Sequence, residues 1–148
     1  MKTMNFQGPG FKIQIPTNWF ITSSPQVQAM FVAPPQGELR ANLMITMRPL
    51  EEDATLVDIL KTSLETQKKE YPEFELLEET EIEKDGWTGI TRLYKWFSSE
   101  HKTRILQRQV FFVIKQMLTT ITTTRTATNK AQEMDAVFIQ ILESFHFE

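Results

Sequence analysis

Seven segments of the chain alternate apolar and polar residues with a period of two, and this pattern constrains the fold more than any other feature. Short polar connections, such as Asp85-Gly86, separate several of these segments. Consecutive strands joined by short connections pair as antiparallel neighbours. The pattern therefore predicts a mainly antiparallel sheet of about seven strands. The predicted strands cover residues 11–15, 27–33, 42–48, 75–83, 87–97, 105–114 and 117–124.

Two further segments repeat their apolar residues at helical spacing. The first begins after Thr55, which has the pattern of a helix N-cap, and must end before Pro72. The second begins after Thr128 or Asn129 and carries a narrow apolar stripe over residues 134–145. Because the helices are separated from the strands along the chain, the predicted class is α+β, a sheet flanked by two helices.

The composition is that of an ordinary globular protein and excludes several classes of function. The 148 residues, of which 41% are hydrophobic and 24% charged, predict one domain over residues 1–148. With no cysteine and two histidines, disulfides and thiolate ligands are excluded, and no metal site is expected. A net charge of −3 argues against nucleic-acid partners, and five glycines form no phosphate-binding loop, so no cofactor is expected.

The sequence contains no segment typical of membrane insertion or export. The first ten residues hold no apolar run of the length that a signal peptide needs. No apolar run approaches the roughly 20 residues of a membrane-spanning helix. We therefore expect a cytoplasmic protein without stable membrane association.

No residue pattern indicates a catalytic site. The serines lack the sequence context of an activated nucleophile, and Ser99 and His101 lie on a polar loop between two predicted strands. The carboxylates of Glu79, Glu81 and Glu83 form one outward row on a predicted strand. Such a row is typical of a solvated edge strand rather than of a metal site. The sequence thus predicts a protein that is not an enzyme.

The predicted strand 105–114 combines apolar side chains with amides. Its alternation places Ile105, Gln107, Gln109, Phe111 and Val113 on one face. Buried glutamines need hydrogen-bond partners. The pair could lie at a sheet margin and bond to water, or belong to an apolar platform whose amides bond a bound peptide segment.

Phe31 and Ile45 complete the candidate binding site, together with Gln107, Gln109 and Phe111. Both lie in mid-strand between apolar neighbours, and the two faces of strands 27–33 and 42–48 are largely apolar. The choice assumes that the three strands present the same face, which a shift of register by one residue would reverse. Four of the seven methionines lie on strands and suit either an adaptable surface or a methionine-rich core.

Three motifs carry a resemblance to a known family. They are Phe-x-Ile-x-Ile-Pro-x-x-Trp over residues 11–19, Gln-Arg-Gln-x-Phe over 107–111 and Phe-x-x-Ile-Leu-x-Ser-Phe over 138–145. With these motifs, and in the order of its elements, the chain resembles the DcrB-like proteins of the PsbP-like superfamily. The resemblance implies an antiparallel sheet flanked by helices, without an enzyme active site.

Within that superfamily, the chain looks like the effector-associated (Eag-type) chaperones of type VI secretion. Those proteins hold apolar, transmembrane-like segments of a toxic effector against their sheet and deliver it to the secretion spike. Their binding strands would correspond here to residues 27–33, 42–48 and 105–113. The chain departs from the lipoprotein members, which have a leader and a lipobox cysteine, and from the lumenal photosystem members, which have transit segments.

The leading hypothesis is a cytoplasmic, non-enzymatic chaperone or adaptor that shields apolar segments of a secreted effector (its client). Two helices leave much of an apolar seven-stranded sheet uncovered, so we also expect a homodimer, or a monomer that dimerises around its client. A second hypothesis is a PsbP-like scaffold that docks folded partners, of the photosystem or small-GTPase type. A third is a small hydrolase that uses His101 and nearby acids.

Overall fold

A computed structural model describes residues 1–24, 27–35 and 39–148, which form ten strands, two α-helices and one short 3-10 helix. The strands are β1 (Thr3–Gly8), β2 (Phe11–Pro16), β3 (Phe20–Ser24), β4 (Val27–Val32), β5 (Asn42–Pro49), β6 (Glu75–Lys84), β7 (Trp87–Ser98), β8 (Thr103–Ile114), β9 (Met117–Thr126) and β10 (His146–Phe147). The helices are α1 (Leu56–Glu70) and α2 (Met134–Ser144), with the 3-10 helix at Asn129–Glu133.

Seven strands form one antiparallel sheet in the order β3-β4-β5-β9-β8-β7-β6, which confirms the predicted α+β class. Its seventh strand is β3 rather than β2, the first strand predicted from the sequence. Strand β2 instead pairs with β1 and β10 in a separate three-stranded sheet. Strands β1, β3 and β10 were not predicted from the sequence; β3 and β10 are short, with five and two residues, and β1 and β10 both pair with β2.

The β1–β2 hairpin turns through Pro9 and Gly10, and Gly10 adopts a φ of 81° that favours glycine. Gly8 is needed for a second reason, since a Cβ at this position would collide with the ring of Phe11. That ring is fully buried and stacks on Phe145 at 5.4 Å, at the end of α2. The hairpin thereby joins the small sheet to the core beneath α2.

One face of the large sheet, here called the α2 face, carries the main core. Alternate residues of β4, β5, β8 and β9 point to this face and pack with β2 and α2. The sheet residues of this core are Ala29, Phe31, Leu43, Ile45, Val110, Phe112 and Ile121. The opposite face, here called the α1 face, has a smaller core.

Helix α1 lies across β8 on the α1 face, where Leu60 packs against Phe111 and Leu118. The Thr55 hydroxyl accepts a hydrogen bond from the Asp58 amide at 3.2 Å, which confirms the predicted N-cap. The helix ends at Glu70, two residues before Pro72, as predicted. Since one 15-residue helix is narrower than a seven-stranded sheet, α1 covers only part of this face.

A polar contact ties the β6–β7 hairpin to the end of the chain. Asp85 and Gly86 have φ values of 54° and 82°, the conformation expected of an Asp-Gly hairpin turn. The two carboxylate oxygens of Asp85 contact Nδ1 of His146 and the amide of Phe147, both at 2.9 Å. These two hydrogen bonds lower the pKa of Asp85 below its ordinary value of 3.8.

We predict that Asp85→Asn weakens the attachment of β10 and makes stability less dependent on pH. Because the folded pKa of Asp85 is lowered, its contribution is present above about pH 4 and is lost as pH falls through the folded pKa. The pair is solvent-exposed, so we expect a loss below about 1 kcal/mol at neutral pH. Urea unfolding at neutral and acidic pH measures the effect, with Glu83→Gln on the same hairpin as control. Identical pH profiles for Asp85→Asn and the parent protein would contradict this role.

Candidate functional site

The strand register brings methionines and amides together on the α1 face. Met30 pairs with Met44, Met44 with Thr122, and Thr122 with Gln109, so the four side chains form one row across four strands. Met30 and Met44 are half-buried, whereas Thr122 is 6% exposed between its longer neighbours. The row is therefore apolar at its β4 end and polar at its β8 end.

A second row lies beside the first. Val32 pairs with Asn42, Asn42 with Thr124, and Thr124 with Gln107. We call the eight side chains of the two rows the platform. Its members are Met30, Val32, Asn42, Met44, Gln107, Gln109, Thr122 and Thr124.

Both polar atoms of the Gln107 amide form hydrogen bonds within the chain. Its Oε1 accepts from Nε1 of Trp96 at 2.8 Å, and its Nε2 donates to the Thr124 hydroxyl at 3.0 Å. Stacking of Trp96 on Tyr71 at 4.3 Å holds the indole donor in place. An amide can donate twice and accept twice, so Gln107 keeps one N–H and one lone pair for a bound segment.

Gln109 has equivalent partners. Its Oε1 accepts from Nε2 of Gln67 in α1 at 2.8 Å, and its Nε2 lies 3.5 Å from the Thr122 hydroxyl. Strand β8 is flanked by β9 and β7, so neither glutamine lies at a sheet margin. Groups of the protein itself supply each amide with one hydrogen-bond donor and one acceptor, and so fix its orientation.

Arg92 anchors α1 at the border of the platform. Its side chain is fully buried, and its guanidinium donates to the Glu79 carboxylate at 2.8 Å. It also donates to the Ser63 hydroxyl at 2.9 Å and to the Leu60 carbonyl at 2.8 Å, both in α1. A buried arginine requires such a set of acceptors. With a further hydrogen bond to Oε1 of Gln67 at 3.2 Å, three polar contacts join Arg92 of β7 to α1, and one joins it to β6.

Phe31 and Ile45, predicted as site residues, lie on the α2 face and are fully buried. Ile45 pairs with Ile121, whereas its neighbour Met44 pairs with Thr122. The assumption that all five predicted residues share one face is therefore wrong for these two. The prediction placed β4 and β5 one residue out of register with β8. A shift of one residue moves each side chain to the opposite face of the sheet.

Of the remaining predicted residues, Gln107 and Gln109 lie on the platform. Phe111 points to the same face but is 4% exposed under α1, where it packs against Leu60 and Leu118. Met30 and Met44 take the places assigned to Phe31 and Ile45. The alternation of each strand contained this signal, but only the register across β9 shows which of its faces meets the glutamines.

A cavity of about 500 Å³ lies along the side of α1. It shares Gln67 with the hydrogen bond to Gln109, so it adjoins the platform. At the opposite end of the platform, Phe20 of β3 pairs with Val32 and is 58% exposed. The Arg40 guanidinium lies 5.2 Å from the centre of the Phe20 ring. The cavity is lined by Arg48, Asp58, Ile59, Thr62, Ser63, Thr66, Gln67 and Tyr71. This arrangement can accept an apolar segment and bond its polar groups.

The histidines take part in local contacts. Nδ1 of His101 lies 3.0 Å from the Ser98 hydroxyl, which also accepts from the His101 amide, so the partner is Ser98 rather than Ser99. Ser98 is 4% exposed, which leaves its hydroxyl little access to a substrate. Within residues 1–24, 27–35 and 39–148, no three His, Asp or Glu side chains are grouped to hold a metal ion. No helix in the described part of the chain is long and apolar enough to cross a membrane.

The model of the DcrB family matches residues 12–144, most of the chain. The chain belongs to the DcrB family. The match includes strands β2 to β9, the first of them without Phe11, both α-helices and the whole platform. Among curated proteins, none matches the sequence.

Several solved structures have the same fold at low sequence identity. A protein of unknown function from Pseudomonas aeruginosa, PA94, is 20% identical with a TM-score of 0.69 over 97% of this chain and 96% of its own. CyanoP, the PsbP of Synechocystis sp. PCC 6803, is 17% identical with a TM-score of 0.70 over 99% and 92%. The Ran-binding protein Mog1p of Saccharomyces cerevisiae is 11% identical with a TM-score of 0.67 over 99% and 96%. At these identities the likeness establishes the PsbP-like fold of this DcrB-family chain.

We predict that Arg92→Met destabilises the protein by about 3 kcal/mol, because four buried or half-buried acceptors lose a charged donor. Arg108→Met is the control, since Arg108 is 30% exposed, lies 3.9 Å from Glu78 and donates to the Thr91 hydroxyl at 2.9 Å; we expect a smaller loss, about 1 kcal/mol. Urea unfolding measures both free energies. Equal losses for the two variants would contradict the anchoring role of Arg92.

Proposed function

We propose that this DcrB-family protein is a non-enzymatic chaperone or adaptor that binds apolar segments of a partner on the platform. The observation that carries the proposal is the composition of the two rows, where half-buried Met30, Val32 and Met44 stand beside oriented glutamines. Binding removes apolar surface from water, at ~25 cal/mol per Å². Polar groups of the bound segment would pair with the free donors and acceptors of Gln107 and Gln109.

Methionines suit a protein that must accept more than one apolar sequence. Their side chains are unbranched, flexible and polarisable, so they adapt to differently shaped partners. The glutamines, held by Trp96 and Gln67, are rigid by comparison. The platform thus combines an adaptable apolar half with a preorganised polar half.

The client we propose is a secreted effector with transmembrane-like segments, loaded on a type VI-like apparatus by a cytoplasmic homodimer. The support is the resemblance of the chain to the Eag-type chaperones, whose binding strands correspond to β4, β5 and β8. A direct test co-expresses such an effector with the protein and measures its soluble yield. The parent protein should raise this yield, and Met44→Asp should not.

A second candidate is a scaffold that docks folded partners on the α2 face. A cavity of about 290 Å³ lies there between α2 and β6–β8, next to Ile139, which is 56% exposed. Two proteins of the same fold are a PsbP and a Ran-binding protein. This function would depend on Ile139 and not on the platform.

We predict opposite results for two neighbouring substitutions. Met44→Asp should keep the melting temperature within a few degrees and weaken peptide binding at least about tenfold, because its side chain borders solvent on the platform. Ile45→Asp should unfold the domain, because an unpaired charge in the core costs several kcal/mol. The probe is a labelled Leu/Ala peptide of about 20 residues with one central serine. Thermal melts and fluorescence anisotropy give the two readouts.

The matched control is Ile139→Asp, which places the same charge on an exposed apolar position of the α2 face. The proposal requires that it bind the peptide like the parent protein. Gln107→Ala should weaken binding of the serine-containing peptide more than that of an all-Leu/Ala peptide. Undiminished binding by Met44→Asp, with the fold intact, would refute the platform as the site.

A further inference from the structure

The two edges of the seven-stranded sheet differ in charge. Strand β6, at one edge, carries five glutamates and a lysine within ten residues. Strand β3, at the other edge, has the sequence Phe-Ile-Thr-Ser-Ser and carries no charge. Charged side chains on an edge strand prevent pairing with another chain. Edge β6 is therefore protected in this way, and edge β3 is not.

Two large apolar side chains of β3 are exposed. Phe20 is 58% exposed and Ile21 49% exposed, on opposite faces of the sheet. Pairing with β4 is regular from Phe20 to Thr22, and a bulge follows between Thr22 and Ser24. The regular segment Phe20–Thr22, with two exposed apolar side chains, is thus available along the outer edge, where backbone groups can pair with a further strand.

The platform of one molecule is too narrow for the client proposed above. Its two rows cross four strands, β4, β5, β9 and β8, and a spacing of about 4.8 Å gives them a width of roughly 14 Å. An apolar helix of about 20 residues is about 30 Å long. Two such surfaces joined at β3 would span roughly 43 Å across ten strands. This comparison rests on the proposed function.

We propose that β3 is the interface for a second copy of this chain, which pairs with it as an antiparallel strand. A two-fold axis through Ile21 makes the strand complementary to itself, with Ile21 opposite Ile21 and Phe20 opposite Thr22. The axis is perpendicular to the sheet, so both platforms lie on the same side and form one continuous surface. No like charges meet at this edge, in contrast to β6.

A single strand pair is a small interface, below the size typical of permanent dimers. The dimer is accordingly in equilibrium with monomers at micromolar to millimolar concentration. A segment that contacts both platforms binds the dimer and not the monomer, and so shifts this equilibrium. Dimerisation and client binding are then coupled through β3.

Analytical ultracentrifugation of the parent protein, with and without the Leu/Ala peptide, tests the interface. We expect the peptide to increase the dimer fraction, and Ile21→Lys to weaken dimerisation at least about tenfold, because two lysines would face each other. Ile139→Lys is the control, since Ile139 is equally exposed but lies on α2. A parent protein that stays monomeric under all these conditions, or an unchanged dimer in Ile21→Lys, would overturn the proposal.

A cross-link tests the same geometry by a second route. The chain has no cysteine, so Ile21→Cys introduces a single thiol. Opposite residues of an antiparallel pair have Cα atoms about 4.5–5.5 Å apart, within reach of a disulfide. Mild oxidation should therefore link two copies of Ile21→Cys, and should not link Ile139→Cys.

The outcomes separate this interface from the proposed function. If the peptide binds a monomer and Met44→Asp abolishes that binding, the platform is supported and the β3 interface is refuted. If Ile21→Cys cross-links but the peptide binds nowhere, the interface is supported and the proposed function fails. Equal cross-linking of Ile21→Cys and Ile139→Cys would indicate random collision and count against the interface.

Discussion

The antiparallel pairing of β9 with β5 on one side and β8 on the other determines which side chains of these strands lie together on each face of the sheet. Strand β9 has six threonines over residues 119–126. The exposed fraction of four of them is below 8%. Their β-branched side chains favour a strand, and they are short enough for longer neighbours to cover them. The hydroxyls of Thr122 and Thr124 accept from the two glutamines of β8. This pairing therefore orients the amides and places Met44 beside them.

Helix α1 depends on a different kind of contact from α2. The core beneath α2 is large and aromatic, whereas α1 adds Leu60 to a small cluster and relies on the buried Arg92. An arginine with fixed acceptors specifies one position and orientation more sharply than nonspecific apolar contact does. The border between covered and open parts of the α1 face is consequently well defined, and Gln67 links that border to Gln109.

Most of the fold was predictable where local signals suffice. The cap at Thr55, the stop at Pro72 and the Asp-Gly turn act within a few residues, and all three are found as predicted. Strand β1 carries such signals in the alternation of Met4 and Phe6 and in the turn at Gly10, although it was not predicted, whereas β3 and β10 lack them. Strand β10 pairs with β2 from the opposite end of the chain, and its two residues are stabilised by the contact with Asp85. Long-range pairing of this kind leaves no periodic pattern in so short a segment.

The sequence by itself determined the α+β class, the charged edge at β6 and the division of each predicted strand into two faces. The tertiary structure alone decided which face of one strand meets which face of the next. Phe31 and Met30 are equally apolar, and so are Ile45 and Met44, so hydrophobicity could not separate them. Packing against α2 and the small sheet buries the first of each pair, and pairing with β9 directs the second towards the glutamines. A side-chain period of two makes this assignment depend on register, and register depends on contacts between residues far apart in the chain.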